Sequence, residues 1–182
     1  MVGKICLWLE KEHIIYVQTA IWHKPNATDA GGPRLCSSFE VLVIGWYGQK
    51  GGHQYLNFKN SSYARHNFFQ FHSEPYYKID DAPVNIAQKP VKLMEDLLTK
   101  FCPANGFVLD FCGGSGSMSI ACFNTRRPCL YLDKNKNMVI GALARLKNLI
   151  SKLEEKSAKE AEGKKNIIPI TLYIGVGLPS PK

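Results

Sequence analysis

Between Val108 and Ser117 the chain reads V-L-D-F-C-G-G-S-G-S, and no other stretch limits the possible folds as severely. A short apolar run ends in an acid, and a turn built on Gly113, Gly114 and Gly116 opens into a helical pattern. Glycine tolerates positive φ and lets a backbone approach a ligand with no side chain in the way. A strand–turn–helix junction of this kind puts the turn at the carboxyl end of a buried strand, where parallel α/β sheets bind nucleotides. A second acid, Asp133, closes the next short apolar run, Pro128 to Leu132. An acid there can accept both hydroxyls of a ribose.

The surrounding pattern agrees with that junction. Val91, Leu93, Met94, Leu97 and Leu98 fall on one face at helical spacing, so Pro90 to Phe101 reads as a helix with proline in its first turn. A second helix is expected from Ser117 to about Asn124, and a third from Met138 with Val139, Leu143, Leu146 and Ile150 as its buried stripe. Residues 151–165, rich in Lys and Glu, read as a solvated helix end, and 166–176 as a last strand. Strand and helix alternate here, which means parallel α/β. The amino-terminal half differs. Lys4 to Glu10 reads as a short buried strand, Ile14 to Trp22 as a second that ends before Pro25, and Phe39 to Tyr47 as a third. A Gly- and Pro-containing loop between the last two implies an antiparallel pair.

The length suits one domain over 1–182. Within it, 1–47 would supply strands flanking a substrate side, 48–84 a long loop or small lobe, and 85–150 the ligand-binding half. The net charge of +8 suits a polyanionic partner such as nucleic acid, because lysines and arginines release counterions from phosphates. In 48–84, Lys50, Lys59 and Arg65 alternate with aromatics, a mixture that can pair and stack with nucleic acid. A loop that packs on its own aromatics fits slightly better. The six cysteines are scattered without any Cys-x-x-Cys pair, as for thiols in a reducing compartment, cytoplasm or nucleus, and no metal site is expected. No apolar run approaches the roughly 18–20 residues of a membrane span.

Three ligands compete for the glycine turn. A dinucleotide is disfavoured because the third glycine of that fingerprint is absent from its place. A triphosphate is disfavoured because no Gly-Lys-Ser/Thr occurs. S-adenosylmethionine remains the better choice.

Gln88-Lys89-Pro90, followed by a helix and then Leu109-Asp110-Phe111-Cys112-Gly113-Gly114-Ser115-Gly116-Ser117, resembles the "QKP … LDPFxGSGT" signature. That signature marks the permuted, beta-type DNA amino-methyltransferases acting on adenine N6 or cytosine N4. Asp133, Ala142 and Arg145 are similar to its "E…A..R" series, and Ile21 to Pro25 and Phe39 to Leu42 to its "iWxKp" and "yEvil" stretches. The resemblance spans about Gly3 to Val176. It implies a Rossmann-like, S-adenosylmethionine-dependent methyltransferase sheet, permuted, with an antiparallel strand pair. It also implies that Lys89 and Pro90 help hold the methionine end, that Asp110 and the Gly114-Ser115-Gly116 turn cradle its amino acid part with Phe111, Cys112 and Ser117 beside them, and that Asp133 binds the ribose. Phe111-Cys112 replaces the family's Pro-Phe, so the aromatic that lines the cofactor is displaced or lost.

The family's chemistry depends on an Asp/Asn/Ser-Pro-Pro-aromatic motif. Its polar side chain and a proline carbonyl accept hydrogen bonds from the target amino group, and its aromatic stacks on a flipped-out base. In this class the motif precedes the "iWxKp" stretch, where this chain has only 20 residues and no such run. Ser73-Glu74-Pro75-Tyr76 is a superficial match, so Ser73, Pro75 and Tyr76 are weak catalytic candidates. The strand carrying the motif would lie centrally, between the strand ending at Asp110 and that at Lys4 to Glu10. Either an upstream segment or a second chain supplies it, or those two neighbours pair directly. Three functional readings follow. The chain is the cofactor-binding part of a nucleic-acid, and by the resemblance DNA, amino-methyltransferase; or a pseudoenzyme subunit that partners an active enzyme or grips nucleic acid; or a different Rossmann-like nucleotide binder.

Overall fold

The computed structural model describes residues 2–28, 33, 35–48 and 66–161. They form helices and short strands in the order α1 (Val2–Lys11), β1 (Ile14–His23), β2 (Phe39–Tyr47), β3 (Phe68–Gln70), β4 (Lys78–Ile79), β5 (Ala82–Pro83), α2 (Val91–Phe101), β6 (Val108–Asp110), α3 (Ser117–Asn124), β7 (Cys129–Tyr131) and α4 (Lys136–Ala161). The expected strand at 166–176, and Lys50, Lys59 and Arg65, lie outside the described residues. The chain divides into two compact units, 1–73 with 100–103, and 74–99 with 104–182.

The first unit is built on an antiparallel ladder, as the loop between its strands implied. β1 and β2 pair from Ile14↔Tyr47 to His23↔Phe39, with one bulge between Tyr16 and Gln18. β3 adds in parallel to β1, giving the order β2-β1-β3. Ala20, Trp22 and Phe69 are buried in this sheet, and the Trp22 indole N–H donates to Phe71 O at 2.9 Å. Asn26 bonds both the amide and the carbonyl of Ser73, which fixes the chain as it leaves the sheet.

One expectation fails in this unit. Lys4 to Glu10 is not a strand; it lies in α1. Five consecutive apolar residues, Ile5 to Leu9, are too short a run for periodicity to separate strand from helix. Only Leu9 of the five is buried, and its side chain sits beside Gly45 of β2, whereas Leu7 and Trp8 are exposed. His13 at φ 56° stops the helix and turns the chain into β1. Being helical, this segment offers no strand for pairing.

The second unit carries the α/β pattern. β6 and β7 run parallel, Val108↔Cys129 to Asp110↔Tyr131, and the register continues into Leu132 N–H donating to Asp110 O at 2.8 Å. The helices fall where the spacing placed them, and α4 runs unbroken through position 150 to Ala161. Tyr131, Val139 and Ala142 form a buried cluster between β7 and α4, with Leu143 against it. β4 and β5 make a small hairpin whose two turn residues, Asp80 and Asp81, both have positive φ, as a type I′ turn requires. That hairpin gives local order to a stretch expected to be loop.

Candidate cofactor site at the glycine turn

The turn after β6 is shaped by sterics at each glycine. Gly114 and Gly116 sit at φ 51° and 77°, where a side chain is strained. A Cβ on Gly113 would overlap the Tyr131 ring, and one on Gly116 would lie 2.9 Å from the Ala142 Cβ. Small residues at 116 and 142 thus let the start of α3 come close to α4. Gly116 N–H donates to Gly113 O at 2.9 Å, closing the turn.

Side chains hold what the short strands cannot. Asp133 Oδ2 accepts from Gly114 N–H at 2.8 Å, and Asp133 Oδ1 from Asn135 N–H at 2.8 Å. The Tyr131 hydroxyl donates to Gly114 O at 2.6 Å. Gly114 is therefore gripped through both its N–H and its carbonyl. One turn of α4 beyond Ala142, Arg145 Nη1 donates to Ser115 O at 3.2 Å and to Ser117 Oγ at 3.0 Å. Ser117 Oγ in turn donates to Lys89 O at 2.7 Å, tying the turn to the segment before α2.

The sequence candidates fall in two groups. Lys89, Pro90, Asp110, Gly114, Ser115, Gly116, Ser117 and Asp133 are drawn together by these bonds or by the strand and helix ends that carry them. Phe111 and Cys112 stand exposed at the lip of the turn, Phe111 at 69%. Lys89 points its ammonium at Ala87 O, 3.0 Å away. Of the weak catalytic candidates, Ser73 bonds to Asn26 through its amide and carbonyl. In the stretch that holds Pro75 and Tyr76, Glu74 Oε1 accepts from Val91 N–H at 3.0 Å at the start of α2, Gln88 Nε2 donates to Pro75 O, and Tyr77 N–H donates to Gln88 Oε1. Tyr131 was missed by sequence reasoning. The only signal was its spacing: it stands two positions before Asp133, hence on the same side of the strand.

The electrostatics favour a ligand with a positive charge near Asp110. Burial raises the Asp110 carboxyl above the usual aspartate range, and Asp133 raises it further, while the Cys112 amide opposes both. That amide, at 3.4 Å, is the only hydrogen bond to the Asp110 carboxylate among the described residues. A half-buried carboxylate with spare acceptor capacity is suited to an ammonium group. Burial likewise raises the Tyr131 hydroxyl, so it stays a donor at neutral pH. Asp133 already holds two backbone N–H groups, but each carboxylate oxygen can accept a second bond. No cluster of His, Cys, Asp or Glu suited to a metal occurs among the described residues.

Comparison with known proteins adds to this geometry. Residues 3–142 match the family model described as DNA methylase. Among solved structures, the complex of M1.HpyAVI with SAM superposes with a TM-score of 0.61 at 21% identity, covering 79% of this chain and 68% of that one. A putative DNA modification methylase from Thermus thermophilus, complexed with S-adenosyl-L-methionine, gives 0.55 at 18% identity over 98% of this chain and 65% of that one. The cytosine-N4-specific PvuII DNA methyltransferase gives 0.57 at 12% identity over 78% and 55%. No curated protein matches. At these identities the likeness establishes a shared fold, and the chain spans only part of each structure's length.

Proposed function

The chain belongs to the DNA methylase family, matched over residues 3–142, and on that premise we propose that it is the S-adenosylmethionine-binding part of a DNA amino-methyltransferase of the adenine-N6 or cytosine-N4 type, incomplete or inactive on its own. The observation that carries the reading is the braced turn. Gly114, Ser115 and Ser117 are fixed by Asp133, Tyr131 and Arg145 beside a half-buried Asp110. Asp110 and the turn's backbone receive the cofactor's amino-acid end, Lys89 and Pro90 border it, and Asp133 takes the ribose. The cofactor supplies an electrophilic methyl group. The chain's own residues orient that group and hold it in a preorganised cradle.

Two observations support incompleteness. No Asp/Asn/Ser-Pro-Pro-aromatic run occurs anywhere in the 182 residues, and Glu74 of the nearest match is occupied capping α2. β6 pairs with β7 alone among the described residues, and Leu109 on it is 54% exposed, whereas a central strand of a parallel sheet is paired on both edges and covered on both faces. A strand from an additional segment or a second chain would cover that edge, and DNA would be the polymer bound. Six free thiols suit a reducing intracellular compartment. The alternative, a subunit without chemistry of its own beside an active partner, draws on the same missing motif.

Calorimetric titration with S-adenosylmethionine tests the reading. Saturable binding is expected, weakened about tenfold or more by Asp133→Ala, the scale of one charge-assisted contact. No binding by the parent contradicts it. A methyl-transfer assay on DNA with this chain alone should give no product, and turnover would overturn the claim of incompleteness.

A further inference from the structure

The stretch that mimics the missing motif has a different use. Glu74 lies at the entrance to α2, with its two carboxylate oxygens aimed at different elements. Oε1 accepts from Val91 N–H at 3.0 Å; Oε2 faces Arg145 Nη2 at 3.6 Å. Arg145 is deeply set, its side chain 11% exposed, and burial opposes its charge while Glu74 favours it. A buried guanidinium left without a counter-charge is costly, and Glu74 is the carboxylate that pairs with Arg145. From there Arg145 Nη1 holds Ser115 O and Ser117 Oγ. Glu74 itself cannot drift. Its neighbours Pro75 and Tyr77 are pinned by the two ends of the buried Gln88 amide, a side-chain copy of a strand ladder.

We propose that Glu74 is a positioning residue: acting through Arg145, it fixes the Ser115–Ser117 backbone in the shape that receives the methyl donor's amino-acid end. The proposal rests on the reading of the glycine turn as a cofactor cradle and deepens it. Glu74 touches no reacting atom. It joins the start of α2 to the start of α3 by way of a residue in α4, so the three helix positions around the turn are set together.

Glu74→Gln separates this role from simple capping. The glutamine can still accept from Val91 N–H, but it presents no negative charge to Arg145. S-adenosylmethionine binding should weaken about tenfold, the scale of one broken charge-assisted brace, while binding of adenosine, which lacks the amino-acid end, should change less than about twofold. Amide exchange should quicken at Gly114 to Ser117 and stay unchanged in the β1–β2 ladder. Should Glu74→Gln fail to fold, Arg145→Lys carries the same test, because lysine keeps the charge and loses the fork that reaches Ser115 and Ser117. Equal weakening for both ligands, or affinity and exchange unchanged from the parent, overturns the proposal and leaves the cofactor reading standing. A parent that binds neither ligand overturns both.

Discussion

The β1–β2 ladder and the β6–β7 pair are both two neighbouring strands, but they are held by different forces. The first is long, ten residues against nine, and its backbone bonds recur along the whole length. The second has three residues on each side. Three residues of parallel pairing fix little, so the carboxyl end of β6 is shaped by side chains bonded to backbone: Asp133 and Tyr131 on Gly114, Arg145 on Ser115. The ladder is redundant, and loss of one bond leaves many. The glycine turn is not redundant. There the Gly114 N–H, the Gly114 carbonyl and the Ser115 carbonyl are each held by a single side chain, so the shape has little tolerance.

Substitutions in the two regions should therefore behave differently. The largest effect is expected at Trp22, 2% exposed in the first unit. Trp22→Ala should cost about 3–5 kcal/mol, the range for a deleted buried aromatic, measured by urea unfolding. It should speed amide exchange in β1 and β2 before the glycine turn is affected. Exchange that rises equally everywhere would mean the two regions do not differ in the way described.

Tyr131→Phe comes next. The ring still fills the space under Gly113, but Gly114 O loses its donor, at a cost of about 1–3 kcal/mol for a buried acceptor left bare. Because the turn lacks redundancy, S-adenosylmethionine affinity should fall along with stability. Loss of stability with full affinity would show that the turn keeps its shape without the hydroxyl.

A pH series probes the same difference. Burial, then Asp133, lift the folded carboxyl of Asp110 above its unfolded value. The folded state therefore holds its proton more tightly. That stabilisation is complete below the unfolded value and is lost as pH rises through the folded one. Asp110→Asn should remove this part of the pH dependence. A cationic amino group on a ligand favours the ionised carboxylate, so affinity for S-adenosylmethionine should fall as pH drops through the same window.

The smallest effect belongs to the ladder. Asn67 Nδ2 donates to Thr19 O at an exposed position, 3.0 Å away. Asn67→Ala should change stability by less than about 0.5 kcal/mol, as for surface sites away from special features.

Much of this was legible in the sequence where local chemistry is decisive. The helix over 91–101 announces itself by the spacing of Leu93, Met94, Leu97 and Leu98, and the glycine turn by residues that no other backbone shape needs. The antiparallel pair followed from two apolar runs around a Gly- and Pro-containing loop. Lys4 to Glu10 misled because a run that short carries no period that separates strand from helix. Glu74 was illegible in another way. In the sequence it stands inside a superficial match to a catalytic motif, and its nearness to Arg145, 71 positions later, exists only in the folded chain. Tyr131 left only its spacing from Asp133 as a signal, because its partner is a backbone carbonyl, at Gly114, and such pairings leave no mark in composition.

The central claim is that the turn after β6 is where a methyl donor sits, and backbone amide NMR during titration with S-adenosylmethionine tests it most directly. The account predicts saturable shifts concentrated at Asp110 to Ser117 and Asp133 to Asn135, with the β1–β2 amides unmoved. Amides at the turn that stay in place at saturating donor, or shifts centred elsewhere in the chain, would contradict it.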